Sequence, residues 1–203
     1  LHNISSVAAD EINLSILRLT DLEFIAINST IDFTGFDCGD FDISNWLKED
    51  ALEHRNQRMA NTYLFVTNDQ VVAYFCISND SLNDLGEKKG FTNSIWNRFH
   101  RKNFIPNPKR IRNYPAVKIG RIGVSVNYQR TGIAYELMDF IKGFSILSQK
   151  AACRLLLLDA YNKERQINFY QRNGFRFVLD ADENAQKRLM YYDLERLESL
   201  LSQ

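Results

Sequence analysis

Residues 121–134 (Arg-Ile-Gly-Val-Ser-Val-Asn-Tyr-Gln-Arg-Thr-Gly-Ile-Ala) combine residue types that could bind a diphosphate. A β-branched run precedes a short loop containing Gly132, and a helical apolar pattern follows it. The first N–H groups of a helix have no intrahelical partner and lie at the positive end of its dipole. Gly132 lets the backbone approach phosphate oxygens, and Arg130 can add a charge-assisted contact. The segment therefore favours a diphosphate site at the start of a helix.

The same segment also has a purely structural explanation, because a single glycine is ordinary between a strand and a helix. It lacks the Gly-Lys-Ser/Thr ending of a P-loop and the GxGxxG spacing of a dinucleotide-binding turn. Those two motifs are excluded, and the choice between a phosphate site and a simple turn depends on the rest of the chain.

Two further segments supply that context. Residues 155–162 (Leu-Leu-Leu-Leu-Asp-Ala-Tyr-Asn) begin with an apolar run, residues 155–159, that is typical of a strand buried on both faces. Residues 167–175 (Ile-Asn-Phe-Tyr-Gln-Arg-Asn-Gly-Phe) end a helical pattern. Together with residues 121–134 they resemble the GNAT acetyltransferases. In that family a strand ending Val-x-Val precedes Gln/Arg-x-x-Gly-x-Gly/Ala, and FYxxxGF follows later. The resemblance covers about residues 10–195.

The resemblance implies acetyl-CoA as co-substrate, no metal, and the α/β fold of the family. That fold is a mixed, mostly antiparallel sheet flanked by helices. Pantetheine would pair with the main chain of residues 124–126, and the diphosphate would accept hydrogen bonds from the N–H groups of residues 130–134. This sequence departs from the family pattern at two positions: it has Ala134 where the family commonly has glycine, and Ile167 where the family often has alanine. The implied coenzyme-binding residues are Val124, Ser125, Val126, Gln129, Arg130, Thr131, Gly132, Ile133, Ala134 and Asn162.

Tyr170 is the catalytic residue that the resemblance implies. As a general acid it would protonate the leaving thiolate, since phenol and thiol have comparable pKa values. The alternative is a core aromatic, because Phe169 and Phe175 also occupy packing positions. No general base stands out, and water suffices for an amine of low pKa. The candidates considered for that role are His54, His100, Asp159 and Glu164.

The elements that must position these residues follow from the apolar periodicity. The chain is expected to form a single acetyltransferase domain, residues 1–203, with a basic insertion at about residues 79–115 before the coenzyme-binding strand. Asp42 is expected to cap the first helix. The predicted strands are residues 13–19, 62–67, 71–78, 117–126, 155–159, 175–179 and 189–194, and the predicted helices are residues 42–54, 94–102, 132–148 and 163–172.

Composition narrows the class of protein. The 203 residues are 45% hydrophobic and 12% aromatic, enough for a core. No apolar run reaches the length of a membrane span and no secretory signal is visible. Three cysteines without CxxC spacing indicate reduced thiols, and hence a cytoplasmic protein without a zinc site.

Charge is unevenly distributed along the chain. Residues 1–53 hold eleven acidic residues, whereas residues 88–121 hold ten lysines and arginines and no acidic residue. The basic segment could follow a phosphate backbone, as in tRNA. The other explanation, slightly favoured, is that it offsets the acidic N-terminal quarter within one chain or across a dimer. The aromatic residues available to stack on bases are Trp96, Phe99, Phe104 and Tyr114.

A narrower resemblance concerns the acceptor. Residues 36–47, 61–66 and 71–78 resemble toxin-type GNATs that acetylate the amino group of aminoacyl-tRNA. This resemblance implies aminoacyl-tRNA as the substrate and an antitoxin as a partner. Analogy with the family further implies a homodimer. Polyamines, antibiotics and protein amines remain alternative acceptors, and a non-catalytic nucleic-acid-binding or regulatory module of this fold remains a second class.

Overall fold

One sheet organises the described chain. A computed structural model describes residues 17–68, 70–83, 92–103, 111, 113–147 and 152–197. Its strands are β1 (Glu23–Ala26), β2 (Asn61–Thr67), β3 (Gln70–Asn83), β4 (Asn113–Val124), β5 (Leu155–Tyr161), β6 (Arg176–Phe177) and β7 (Lys187–Asp193). They lie in the order β1-β2-β3-β4-β5-β7-β6, and only β4 and β5 pair in parallel. The expectation of a mixed, mostly antiparallel sheet is confirmed.

Helices connect and cover these strands. They are α1 (Phe41–Glu49), α2 (Ala51–Asn56), α3 (Asn93–Lys102), α4 (Ile133–Leu147) and α5 (Glu164–Arg172). α4 turns a stripe of apolar side chains to the sheet because they recur at helical spacing. That stripe is buried in the main core with β-strand residues such as Phe75 and Leu156. Its fully buried members are Ile133, Leu137, Met138 and Ile141. None of the described helices is long and apolar enough to cross a membrane.

The start of α1 differs from the prediction. Asp40, rather than Asp42, is the cap, because its carboxylate accepts the N–H of Ile43 at 3.2 Å. Asp42 lies in the first turn, where its negative charge interacts favourably with the positive end of the helix dipole. The single helix predicted for residues 42–54 is divided into α1 and α2 at Asp50.

The first predicted strand is also misplaced. Residues 13–16 lie outside the described residues, and Leu19–Asp21 form a 3-10 turn instead of a strand. Glu136 of α4 holds this turn, accepting the Leu19 N–H at 2.7 Å and pairing with Arg18 at 3.2 Å. The first described strand is β1, on the outer edge of the sheet beside β2.

The predicted insertion at residues 79–115 is not a break in the sheet. β3 continues to Asn83 and β4 begins at Asn113, so both ends of the segment pair with each other, as in Leu82 opposite Tyr114. Between them, α3 confirms the predicted helix, and the Thr92 hydroxyl caps it by accepting the Ile95 N–H at 3.3 Å. The remaining parts, residues 84–91, 104–110 and 112, lie outside the described residues.

The aromatic residues expected to stack on bases are mostly core residues. Trp96, Phe99 and Tyr114 are at most 5% exposed and form a second apolar cluster with residues of β5 and β7. The Trp96 indole N–H donates to the carbonyl of Ile111 at 3.0 Å. These rings are therefore not available to stack on nucleotides, and Phe104 lies outside the described residues.

Half of the basic segment can be placed. Lys118 pairs with Asp159 at 2.6 Å and Arg98 with Asp180 at 2.7 Å, whereas the Arg121 guanidinium lies 5.8 Å from the centre of the Trp46 ring. The other described members are Arg101 and Lys102. Those outside the described residues are Lys88, Lys89, Lys109, Arg110 and Arg112.

Candidate active site

The sheet opens between β4 and β5. The two strands pair only at Ala116–Lys118 of β4 and Leu155–Leu157 of β5. Beyond these positions β4 continues along β3 and β5 continues along β7, each to its own end. The facing backbone edges of the two strands are thus left without strand partners, and an extended group could pair there as an added strand does.

The ladder to β3 fixes which peptide groups of β4 face this opening. The Ser125 N–H donates to the Val72 carbonyl at 2.8 Å. Because hydrogen-bonded and non-bonded positions alternate along an antiparallel pair, the peptide groups of Ile122 and Val124 face the β5 side. The Val126 N–H is bonded to the Asp37 carbonyl at 2.8 Å. Of the three residues predicted to pair with pantetheine, Val124 is the one whose N–H faces the opening.

The loop after β4 ends in two left-handed residues. A 3-10 turn, Val126–Tyr128, is followed by Arg130 with a φ of 65° and Gly132 with a φ of 99°. The Gly132 carbonyl accepts the N–H of Tyr135 at 2.9 Å and so begins α4. In the described part of the chain, the N–H groups of residues 130–134 donate no hydrogen bond to protein.

This run of free amides fits a diphosphate. Five successive donors stand at the positive end of a 15-residue helix, the arrangement that binds anions through the backbone. A side chain at Gly132 would meet no atom within 4 Å, so there is open space above the loop. The exposed Arg130 adds a positive charge beside it.

Gln129 and Thr131 use their side chains within the loop. The Gln129 amide donates to the carbonyls of Cys38 at 2.8 Å and Val124 at 3.0 Å, and the Thr131 hydroxyl donates to Tyr128 at 2.7 Å. Gln129 therefore fastens the loop before α1 to the end of β4. This contact was not predicted from the sequence, although the turn-forming Asp37-Cys38-Gly39 was a signal for a sharp bend.

Tyr170 lies on α5 in aromatic surroundings. Its ring centre is 5.3 Å from that of Phe169 and 5.9 Å from that of Phe175, and its hydroxyl has no hydrogen bond within the described residues. Burial raises the pKa of Tyr170 to about 12, because the phenolate is poorly solvated there. The phenol consequently holds its proton at neutral pH, as a proton donor must. The ring centre of Phe169 also lies 5.3 Å from that of Tyr135, and this contact joins α5 to the first turn of α4.

Asn162 follows β5 at the far side of the opening. Its side-chain nitrogen donates to the carbonyls of Glu183 at 2.7 Å and Ala185 at 3.0 Å, and its N–H donates to Gln186. The amide nitrogen is thus occupied in holding the 183–186 turn. Only the side-chain oxygen remains for a ligand.

The four candidate bases have other surroundings. His54 packs edge-on against Trp46 at 5.7 Å, and His100 is 2% exposed in the second cluster. Asp159 is paired with Lys118, and Glu164 is exposed in the first turn of α5. Within the described residues, no group of three or more His, Cys, Asp or Glu could hold a metal ion.

Comparison with known proteins matches this arrangement to a family. Residues 59–177 match the model of the acetyltransferase (GNAT) domain. Similar solved structures include a bacterial toxin (20% identity, 89% of this chain and 95% of that one, TM-score 0.68) and AtaT with acetyl-methionyl-tRNAfMet (19%, 89% and 99%, 0.65). A variant of KacT has 21% identity over 88% of this chain and 98% of its own, with a TM-score of 0.64. At these identities the similarity establishes the fold alone, but the domain match spans more than half of the sequence, and the chain therefore belongs to the GNAT acetyltransferases and is an N-acetyltransferase.

Proposed function

We propose that this protein transfers the acetyl group of acetyl-CoA to the amino group of an aminoacyl-tRNA. The observation that supports the coenzyme assignment best is the run of free N–H groups at residues 130–134, next to the opening between β4 and β5. A diphosphate and an extended pantetheine arm need these two features side by side. GNAT acetyltransferases use acetyl-CoA, and AtaT has been solved with it.

The proposed coenzyme contacts come mostly from the backbone. The N–H groups of residues 130–134 bind the diphosphate, with Arg130 beside them. Val124 pairs with the pantetheine arm through its N–H, because Gln129 already donates to its carbonyl, and the side-chain oxygen of Asn162 is an acceptor on the β5 side. Ser125, Gln129 and Thr131 act indirectly, because their own hydrogen bonds shape the loop.

The proposed chemistry assigns one proton transfer to Tyr170. The neutral acceptor amine attacks the thioester carbonyl and forms the C–N bond, the C–S bond breaks, and the Tyr170 hydroxyl gives its proton to the departing sulfur. The proton that the nitrogen releases to water is balanced by one that water returns to the Tyr170 phenolate. The phenol is in its acid form across the neutral range, so its proton is available for transfer. The amine loses its proton to water, which suffices because an α-amino group has a pKa near 8.

The similar structures support the choice of acceptor. AtaT was solved with acetyl-methionyl-tRNAfMet, and both KacT and AtaT were solved as Tyr-to-Phe variants. AtaT has also been solved with its antitoxin AtaR, and KacTA with DNA. By the same reasoning we propose an antitoxin as a partner, and from analogy with the family alone we propose a homodimer.

Transfer of labelled acetyl groups tests the acceptor. The protein is incubated with radiolabelled acetyl-CoA and tRNA charged with one amino acid, and we expect label in the tRNA fraction. Uncharged tRNA and aminoacyl-tRNA with a formyl-blocked amine are the matched controls and should stay unlabelled. Labelling of spermidine or a lysine peptide, with none on charged tRNA, would contradict the proposal. Absence of any coenzyme binding would favour a non-catalytic module.

A further inference from the structure

A basic groove lies between α3, β6 and the segment after β7. It consists of two adjoining depressions of about 480 and 220 Å³, which share Lys102, Phe177 and Asp180 as lining residues. Arg176 and Arg196 line the larger depression and Arg98 the smaller one. Four cationic side chains therefore line one continuous groove that contains one acidic residue.

Among the described residues, most of this positive charge has no ion-pair partner. Asp180 pairs with Arg98 at 2.7 Å. For the other three cations, Lys102, Arg176 and Arg196, no ion pair occurs within the described residues. By contrast, the partly buried Arg154 and Arg188 elsewhere in the molecule each have a carboxylate partner.

The positive charges in the groove repel one another, and this repulsion acts on the ionisation of Lys102. The pKa of Lys102 is lowered first by its partial burial and then by the nearby charges of Arg176, Arg98 and Arg196, against the opposing effect of Asp180. Like charges that converge without counterions raise the free energy of the folded chain, and a bound anion removes that penalty. The groove is thus prepared for a negatively charged ligand.

We propose that this groove binds the phosphate backbone of the nucleic-acid acceptor. Arginine guanidinium groups match phosphate oxygens in bidentate geometry, and several cations spaced along a groove suit a chain of phosphates better than a single anion. The inference rests on the proposed function, because it supplies the tRNA contact that the buried Trp96 and Phe99 cannot provide.

The position of the groove relates it to the active site. Gln171 and Phe175 also line it, and Phe175 packs against the ring of Tyr170. A nucleic acid held there would therefore contact the end of the same helix that carries the proposed proton donor. This surface overlaps the basic segment predicted from the sequence through Arg98 and Lys102, whereas Arg176 and Arg196 lie outside residues 88–121.

Salt-dependent binding of tRNA tests the proposal. We compare the wild type with Lys102→Gln/Arg196→Gln, and with Lys48→Gln/Arg55→Gln on α1 and α2 as a charge-matched control. Each lost phosphate contact lowers the slope of log K against log salt by about 0.7–0.9. We expect the groove variant to bind uncharged tRNA about tenfold more weakly with a slope reduced by about 1.5. The control should match the wild type, and thermal unfolding reports whether each variant folds.

The outcomes separate this inference from the proposed function. Equal tRNA affinity and slope in all three proteins would overturn the groove, even if charged tRNA is acetylated. Binding of tripolyphosphate or of an acidic peptide to the groove, without any binding of tRNA, would also overturn the proposal. Weakened tRNA binding in the groove variant alone supports it, and unchanged coenzyme A affinity in that variant shows that the acetyl-CoA site is intact. If tRNA binds there but is never acetylated, the groove stands and the proposed acceptor fails.

Discussion

Tyr170 illustrates how one side chain can be both a packing residue and a reagent. Its ring contacts Phe169 and Phe175, as expected if Tyr170 is a core aromatic residue. Its hydroxyl, however, makes no hydrogen bond in the described part of the chain. Tyr74 donates to the Ile43 carbonyl at 2.6 Å, whereas the core residue Tyr114, like Tyr170, has a hydroxyl without a hydrogen bond in the described chain. An unpaired phenol therefore does not by itself identify a proton donor, and the proposed role of Tyr170 rests on its position on α5 in the FYxxxGF segment.

Replacing Tyr170 by Phe should lower the rate of acetyl transfer without loss of coenzyme binding. We expect kcat to fall by roughly 10²–10⁴, because one proton transfer is lost, while the Kd for coenzyme A and the unfolding temperature change little. Steady-state kinetics, calorimetric titration and thermal unfolding measure these three quantities.

Tyr63→Phe is the matched control for this variant. Tyr63 is also half-buried among aromatic rings and its pKa is also raised by burial, but it lies on β2. Its loss should leave kcat unchanged. A wild-type rate in Tyr170→Phe would contradict the role of Tyr170 as proton donor and leave it as a packing residue.

At the scale of elements, the junction of β4 with α4 was predictable because its signals are local. The glycine, the preceding β-branched run and the helical apolar spacing all lie within about twenty residues, and the structure has α4 beginning at Ile133 beside Gly132. The attachment of the loop to Cys38 was not predictable, since Gln129 reaches a residue 91 positions away in the chain.

Gly132→Glu should abolish coenzyme A binding. The change puts bulk and negative charge in the open space above the free amides, where a diphosphate must lie. A side chain at this left-handed position also costs about 1–2 kcal/mol of stability, so Gly132→Ala measures the strain alone. Titration calorimetry with coenzyme A gives the affinities.

Gly143→Glu serves as the control on the same helix. A side chain there also meets no atom within 4 Å, but the residue lies near the other end of α4. This variant should bind coenzyme A like the wild type. If Gly132→Glu does so too, the loop is not the diphosphate site.

At the scale of the whole molecule, the sheet has two parts that share only three paired positions between β4 and β5. The main apolar core joins them in addition to this short ladder, since it includes Phe75 and Val117 from one part and Leu158 and Met190 from the other. An opening in a sheet is stable only when its two sides are held in this way. The fold therefore creates the cleft, and the loop at its end supplies the charge.

The sequence predicted this architecture better than its surface. Most strands and helices were placed because their periodicity is local, whereas the fate of Trp96 and Phe99 depended on partners such as Leu155 and Tyr191, far along the chain. Side chains in a basic segment look exposed until those partners are known. For the same reason the sequence indicated only half of the groove's cations: Arg98 and Lys102 lie in the basic segment 88–121, whereas Arg176 and Arg196 come from segments far along the chain.

The central claim is that the free amides of residues 130–134 hold the diphosphate of the coenzyme. The direct measurement is a titration of ¹⁵N-labelled protein with coenzyme A, followed by NMR. We predict saturable shifts of the amide resonances of residues 130–134 and of Val124, larger than those of residues at the far end of α4. Saturable binding that leaves these amides unmoved, or no binding at all, would contradict the account.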